Sequence, residues 1–243
     1  MRLTKEIYLV GSGEFGLSHD FDCNIYVIDA GDGLIMVDSG AGLGVEEVMD
    51  NLSRDGLNKS VRWLLLTHAH ADHAGGAHAF RQRFRCTVVA GAPEAGVIER
   101  GEEKELGLDV AKRSGFYSPD YVFNPCKVDL PVNHGNLLRL GNVSVKVLNV
   151  RGHSPGSMCY FCEIAGKKVL FTGDVVFAKG VIGLLNYEGS SLGEYRRCLP
   201  LLRGLGVETL LPGHGIFVLR GGQRHIDLAC SRLKRLQIPP NFI

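Results

Sequence analysis

A short run of metal-ligand residues is the most informative feature of the sequence. Three histidines and one aspartate, His68, His70, Asp72 and His73, fall within six positions. Neutral imidazole nitrogen and carboxylate oxygen suit zinc and other borderline divalent ions. Burying four such side chains without a partner would cost several kcal/mol. The run therefore predicts a metal site.

The residues around this run predict how it is positioned. The apolar stretch 61–66 precedes it and is typical of a buried strand, whereas the small residues 74–77 allow a loop to turn into a helix. Loops at the ends of buried strands are where α/β enzymes build their sites. We therefore expect the run to lie on a strand-to-helix loop.

Three further ligand-type residues occur later, each at the end of a predicted strand. His153, Asp174 and His214 each follow a glycine directly. Glycine allows a sharp backbone turn close to a crowded site. The positions of these three residues suggest that they join the early run.

Hydrophobic patterning predicts the fold class. The pattern favours a single α/β domain over 1–243, with two β-sheets face to face and helices on both outer faces. An insertion at about 93–125 ends in an aromatic group, which could form a satellite core, a lid over the site or a dimer contact. Strands are predicted at 23–29, 34–37, 61–66, 87–90, 137–140, 143–150, 158–164, 168–171 and 209–211, and helices at about 45–52, 77–84, 192–203 and 223–236.

Five motifs, in this order, resemble the metallo-β-lactamase fold superfamily. They are Asp38 in Val-Asp-Ser-Gly, the H-x-H-x-D-H run, Gly-His-Ser-Pro-Gly at 152–156, Thr-Gly-Asp at 172–174 and Pro-Gly-His-Gly at 212–215. The resemblance implies a four-layer αββα sandwich with two metal ions. In this arrangement one ion is held by His68, His70 and His153, and the other by Asp72, His73 and His214. The resemblance further implies that Asp174 bridges the two ions, and that Asp38 orients the ligand side chains without binding an ion itself.

The implied chemistry is hydrolysis. Two divalent ions, zinc above all but with iron or manganese as further candidates, would lower the pKa of a shared water and polarise the attacked carbonyl. The expected reaction is attack of a metal-bridging hydroxide on an ester, thioester or lactone of a small-molecule substrate. Asp72 and Asp174 are the predicted catalytic carboxylates, with Asp72 orienting the nucleophile and passing a proton to the leaving group.

Other branches of the superfamily remain as alternatives. An endoribonuclease or other phosphodiesterase would bind phosphate groups with the basic residues that follow His214. Nucleic acid is therefore an alternative partner, less favoured than a small molecule. A persulfide dioxygenase would hold one iron, and a non-catalytic module would only bind metal. Lactonases place a tyrosine near the metals, so Phe177 and Tyr187 are candidate substrate residues.

Composition narrows the classes of partner and compartment. The formal net charge of +1 gives no broad basic field, and no run of about 18 apolar residues predicts a membrane span. The seven cysteines are an odd number and are scattered, which favours reduced thiols and a cytoplasmic location. Cys159 and Cys162 lie three apart on a predicted strand and should point to opposite faces. A homodimer is possible.

Overall fold

The computed structural model describes residues 1–242 and divides into two compact units. The first unit comprises Met1–Pro131, and the second begins at Val132. Each unit has its own β-sheet with helices packed against it, which confirms the predicted mixed α/β class. Among the described residues, no helix combines the length and apolar character needed to cross a bilayer.

The sheet of the first unit is mixed. It consists, in spatial order, of β1 (Ile7–Gly11), β2 (Ile25–Asp29), β3 (Leu34–Val37), β4 (Val61–Leu65), β5 (Thr87–Gly91) and β6 (Leu130–Val132). Strands β1 to β3 pair antiparallel, whereas β3, β4 and β5 run parallel to one another. Strands β2 and β3 are buried along nearly their whole length, as expected for continuous apolar runs.

Five helices belong to the first unit. They are α1 (Val45–Arg54), α2 (Ala71–Ala74), α3 (Ala77–Phe84), α4 (Ala92–Arg100) and α5 (Leu108–Arg113). Helices α1, α3 and α4 contact the sheet. Helix α1 does so by an apolar face: it buries Val48 and Leu52 and exposes Glu46 and Glu47.

The second unit contains a five-stranded sheet. Its strands are β7 (Leu137–Leu140), β8 (Val143–Asn149), β9 (Met158–Ile164), β10 (Lys167–Gly173) and β11 (Thr209–Pro212), and the helices described in this unit are α6 (Leu192–Cys198) and α7 (Gln223–Lys234). Strands β7 to β10 form an antiparallel meander, and β11 pairs parallel to β10. The alternating burial along β8 fits a strand with one face on the core and one face in solvent.

The structure differs locally from the sequence prediction. Strands β1 and β6 were not predicted, and the ligand run contains the short helix α2 in place of an uninterrupted loop. The predicted helix over 192–203 changes at Leu199 to a 3-10 turn, where Pro200 has no N–H to continue the α-helical pattern. The segment 11–16 has the spacing G-x-G-x-x-G, which in dinucleotide-binding proteins joins a strand to a helix. Here it follows β1 but leads into turns, so it lacks the helix that such a motif requires.

Candidate metal centre

In the first unit, parallel strands bring Asp38 beside the ligand run. Strands β3 and β4 end side by side, and Asp38 and Thr67 follow them. The Asp38 carboxylate accepts hydrogen bonds from the Thr67 backbone N–H at 2.7 Å and from its hydroxyl at 2.9 Å. The Asp38 backbone has a φ of 61°, a left-handed conformation in which aspartate is more tolerated than most residues. This turn aims the carboxylate at the segment after β4.

The four ligand residues of the run sit on two kinds of backbone. His68 and His70 lie on the extended segment before α2, whereas Asp72 and His73 belong to α2 itself. Nε2 of His68 lies 3.0 Å from Nδ1 of His70, and Nε2 of His73 lies 3.6 Å from Oδ2 of Asp72. The run therefore gathers three imidazoles and a carboxylate in one place.

Asp38 fixes which nitrogen of two histidines faces this cluster. Nδ1 of His73 donates to Asp38 Oδ2 at 2.9 Å, which leaves Nε2 on the side of Asp72. Because the Thr67 hydroxyl donates to Asp38, its oxygen accepts from Nδ1 of His68 at 3.0 Å. Both Nε2 atoms are thereby left unprotonated, the form that binds a metal. The expected orienting role of Asp38 has a direct geometric basis here.

Glu94 is a supporting residue that the sequence reasoning missed. It lies in the first turn of α4, is 6% exposed, and accepts a hydrogen bond from the Ala69 backbone N–H at 2.9 Å. This bond holds the backbone between His68 and His70. A glutamate in the first turn of a helix is ordinary, so the sequence carried no signal for this contact.

In the second unit, three strand ends converge. Strands β8, β10 and β11 run in the same direction, because β8 and β10 both pair antiparallel with β9 and β11 is parallel to β10. Their carboxyl ends therefore lie at one edge of the sheet, and the segments that follow carry His153, Asp174 and His214.

Asp174 lies between the two histidines. Its Oδ2 is 3.6 Å from Nε2 of His153 and 3.6 Å from Nε2 of His214. One carboxylate oxygen equally distant from two imidazole nitrogens has the arrangement expected of a bridging ligand. The second unit therefore brings together the three later ligand residues named from the sequence.

The backbone around His153 fixes its ring. Nδ1 of His153 donates to the Gly183 carbonyl at 2.6 Å, so Nε2 faces Asp174. A Cβ on Gly183 would lie 2.4 Å from the Asp174 carbonyl oxygen and 3.0 Å from Nδ1 of His153. Only glycine fits this close approach.

Tyr195 is a second supporting residue that sequence reasoning missed. Its hydroxyl donates to the Asp174 backbone carbonyl at 3.2 Å, and its side chain is fully buried. Gly152 has a φ of 150°, and a Cβ there would lie 2.5 Å from the Tyr195 ring. The glycine before His153 thus makes room for the tyrosine that holds Asp174.

The donor chemistry fits divalent metal ions. Both units offer imidazole nitrogens and carboxylate oxygens, and His68, His73 and His153 are at most 2% exposed. With zinc–nitrogen distances of about 2.0–2.1 Å, neighbouring nitrogens of a tetrahedral ion lie about 3.3 Å apart. The 3.0 Å separation of the His68 and His70 nitrogens is close to that value.

The two candidate substrate residues lie in the second unit. Phe177 is 3% exposed and stacks on Phe242 at 4.8 Å, and Phe242 stacks in turn on His214 at 5.3 Å. Tyr187 is half-buried in the loop before α6. Phe177 is therefore a packed residue that is separated from His214 by the ring of Phe242.

The cysteines occur as reduced, buried thiols. All seven are free and buried, and Cys159 lies in the apolar core of the second unit. Cys159 and Cys162 are both on β9, three residues apart, so they point to opposite faces as predicted. Cys23 lies beside Asp38 and His73, where burial raises the pKa of its thiol to about 12.

Comparison with known proteins identifies the family. A family model described as the metallo-beta-lactamase superfamily matches residues 20–214. The acyl-coenzyme A thioesterase MBLAC2 of Gallus gallus is 30% identical, over 94% of this chain and 86% of that protein. The atrochrysone carboxyl ACP thioesterase of Aspergillus fumigatus is 25% identical, over 96% of this chain and 63% of that protein.

Solved structures agree with this fold. BJP-1, a subclass B3 metallo-β-lactamase of Bradyrhizobium japonicum, has a TM-score of 0.73 and 23% identity, over 97% of this chain and 91% of that chain. A metallo-β-lactamase of Cronobacter sakazakii has a TM-score of 0.74 and 20% identity, over 97% and 96% of the two chains. The predictions of this fold and of a metal-binding hydrolase are confirmed. The chain belongs to the metallo-β-lactamase superfamily.

Proposed function

We propose that this protein is a thioesterase that hydrolyses acyl-coenzyme A or a similar acyl thioester with two divalent metal ions. The observation that carries the proposal is the position of Asp174, whose Oδ2 lies 3.6 Å from an imidazole nitrogen on either side. The substrate class is supported by relatives named as acyl-coenzyme A and acyl carrier protein thioesterases, one of them 30% identical.

The proposed ligand assignment uses all seven residues named from the sequence. His68, His70 and His153 hold one ion, Asp72, His73 and His214 hold the other, and Asp174 bridges them. Zinc is the proposed metal because it favours nitrogen ligands supplemented by carboxylate, and iron and manganese also fit this donor set. When bound, the ions lower the pKa of a water molecule and polarise the thioester carbonyl.

The residues of the chain have separate tasks in the proposed reaction. A water oxygen forms a bond to the carbonyl carbon and the carbon–sulfur bond breaks, so the products are a carboxylic acid and a thiol. Asp72 accepts the proton of the attacking water on its carboxylate and returns it to the departing sulfur. Asp38 keeps His68 and His73 in the metal-binding tautomer, and Glu94 holds the backbone between His68 and His70.

The substrate pocket and the compartment are also part of this proposal. The insertion at 93–125 borders the ligand run and covers the substrate. A cytoplasmic location fits the seven free thiols, because a reducing compartment keeps cysteines in that state.

The test combines metal analysis with a substrate panel. Protein purified without added metal is analysed for its metal content. It is then assayed for hydrolysis of a series of acyl-coenzyme A thioesters from acetyl to palmitoyl, of a lactone that carries an acyl chain, and of a phosphodiester. We expect two metal equivalents and thioester turnover that is lost in Asp174→Asn, whereas His134→Ala, an exposed histidine outside both ligand sets, stays active. One iron per chain, preferred cleavage of the phosphodiester, or full activity of the Asp174 variant would refute the proposal.

A further inference from the structure

Four aromatic rings of the first unit form a continuous group. The ring of Tyr117 lies 5.0 Å from Phe21, 5.0 Å from Phe116 and 4.6 Å from Tyr121, between ring centroids. Phe21 and Phe116 are 5.6 Å apart. Three of these residues come from the insertion at 93–125, and Phe21 comes from the segment before β2. We call Phe21, Phe116, Tyr117 and Tyr121 the aromatic cluster.

The aromatic cluster is next to the ligand run. Two residues after Phe21, the Cys23 backbone N–H donates to the Asp72 carbonyl at 3.2 Å. On the other side, the Tyr121 hydroxyl lies 2.6 Å from where a Cβ of Gly75 would be, one residue beyond the end of α2. The cluster therefore flanks the helix that carries Asp72 and His73.

Tyr117 and Tyr121 differ in how their hydroxyl groups are satisfied. The Tyr121 hydroxyl donates to the Ala41 carbonyl at 2.8 Å. Tyr117 is 4% exposed, and its hydroxyl has no hydrogen-bond partner among residues 1–242. A buried hydroxyl without a partner costs free energy, which a hydrogen bond to a ligand would recover.

A tyrosine hydroxyl is a hydrogen-bond donor at neutral pH, because the ordinary pKa of a phenol is about 10. The aromatic cluster flanks α2, the helix that carries the predicted catalytic carboxylate Asp72. A donor at this place suits a substrate oxygen that becomes more negative during the reaction.

The other end of the aromatic cluster is open. Phe116 is 55% exposed although its ring contacts those of Phe21 and Tyr117. The cluster thus leads from the exposed ring of Phe116 to the buried hydroxyl of Tyr117. This order matches a thioester whose acyl chain is apolar and whose reacting end carries a carbonyl oxygen.

We propose that the aromatic cluster is the subsite for the acyl group of the substrate. The rings of Phe21 and Phe116 contact the acyl chain, and the Tyr117 hydroxyl donates a hydrogen bond to the thioester carbonyl oxygen. This inference rests on the proposed function, because it assigns the acyl end of that same thioester. It gives the insertion a role in substrate selection.

Two variants separate the parts of the subsite. S-decyl-coenzyme A and S-ethyl-coenzyme A are thioethers that cannot be hydrolysed. Phe116→Ala should weaken binding of the decyl compound about tenfold and leave binding of the ethyl compound unaffected, because only the long chain reaches this ring.

Tyr117→Phe should lower kcat about tenfold for acetyl- and decanoyl-coenzyme A alike. Its metal content should be unchanged, because the lost hydrogen bond acts at the carbonyl oxygen of the substrate. Val122→Ala, an exposed apolar residue of the same insertion, and Tyr8→Phe are the matched controls.

The outcomes distinguish the subsite from the reaction. If Phe116→Ala binds S-decyl-coenzyme A as the wild-type protein does, and Tyr117→Phe keeps the wild-type kcat for thioesters, the subsite is refuted and the proposed function still stands. If the wild-type protein binds S-decyl-coenzyme A but hydrolyses no thioester, the proposed function fails. In that case a loss of binding in Phe116→Ala supports the apolar part of the subsite, and unchanged binding refutes it.

Discussion

At the scale of single residues, one carboxylate organises a large part of the first ligand set. Asp38 accepts hydrogen bonds from the Thr67 backbone, the Thr67 hydroxyl and Nδ1 of His73. Through the threonine it also sets the tautomer of His68. A residue that binds no metal in the proposed arrangement thus decides how two metal ligands present their nitrogens.

Replacing Asp38 by asparagine tests this role with little disturbance of the backbone. Asparagine tolerates the left-handed conformation that Asp38 adopts, but it lacks the second carboxylate oxygen that both His73 and the Thr67 hydroxyl use. We expect zinc affinity to fall about 10- to 100-fold. Competition with a chromophoric chelator measures the change, and Asp32→Asn, an exposed aspartate, is the control. Unchanged affinity would mean that Asp38 does not orient the ligands.

A second aspartate of the first unit makes stability depend on pH. Burial raises the pKa of Asp22 above its ordinary value, although hydrogen bonds from Ser18 and Ala41 oppose the shift. A raised pKa in the folded state means that the folded protein holds this proton more tightly than the unfolded chain does. The stabilisation is therefore present below about pH 4 and is lost as the pH rises through the raised pKa.

Asp22→Asn should consequently be more stable than the wild-type protein at pH 7. The asparagine keeps an oxygen for the Ala41 N–H but carries no charge that would have to be buried. Urea unfolding of both proteins at several pH values measures the difference in free energy of unfolding. The difference should shrink as the pH falls towards 4, and a constant difference would contradict the assigned cause.

At the scale of secondary-structure elements, the C-terminal segment of the described chain supports the second ligand set. The Asn241 side chain donates to the Leu184 carbonyl at 2.7 Å and accepts from the Leu184 N–H at 2.8 Å. The loop it holds contains Gly183, whose carbonyl receives the His153 hydrogen bond. The next residue, Phe242, stacks on His214. One short segment therefore contacts both the loop that orients His153 and the ring of His214.

Asn241→Ala should loosen this loop and weaken metal binding. Both hydrogen bonds to Leu184 would be lost, and only the backbone bonds at Ile182 would still tie the loop to this segment, so the Gly183 carbonyl would be held less firmly against His153. We expect about tenfold weaker zinc binding with little change in the far-ultraviolet circular dichroism spectrum. Gln237→Ala, an exposed residue shortly before the segment, provides the comparison. Equal affinity in the two variants would show that the segment has no positioning role.

The elements also show what a sequence pattern can and cannot predict. The strands that carry Asp38, the ligand run, Asp174 and His214 were predicted because buried strands are continuous apolar runs with glycine or small residues after them. Strand β6 was missed because it has only three residues and contains a proline. The contacts of Glu94 and Tyr195 were missed because each residue is ordinary in its local sequence and acquires its role only through a distant partner.

At the scale of the whole molecule, the ligand residues are divided between two compact units. His68, His70, Asp72 and His73 belong to the first unit, and the remaining three belong to the second. If both sets hold the same pair of ions, as proposed, metal binding stabilises the folded chain as a whole. A ligand that binds only the folded state stabilises it by about 2.7 kcal/mol at a concentration 100 times its Kd.

Zinc at about 100 times its Kd should therefore raise the Tm of the metal-free protein by about 5–10 °C. Asp174→Asn should lose most of this increase, because the bridging carboxylate is shared by both proposed ions. Scanning calorimetry of both proteins with and without zinc measures the shift, and His134→Ala should behave like the wild-type protein. An equal increase in the Asp174 variant would place the stabilising zinc elsewhere.

The most direct test of the central claim is X-ray diffraction at the zinc absorption edge from crystals of the zinc-loaded protein. Anomalous difference maps locate each bound ion independently of any assumed chemistry. We predict two peaks on either side of Asp174, one ligated by His68, His70 and His153 and the other by Asp72, His73 and His214. A map in which His153, Asp174 and His214 share no ion with the early histidine run would contradict the account.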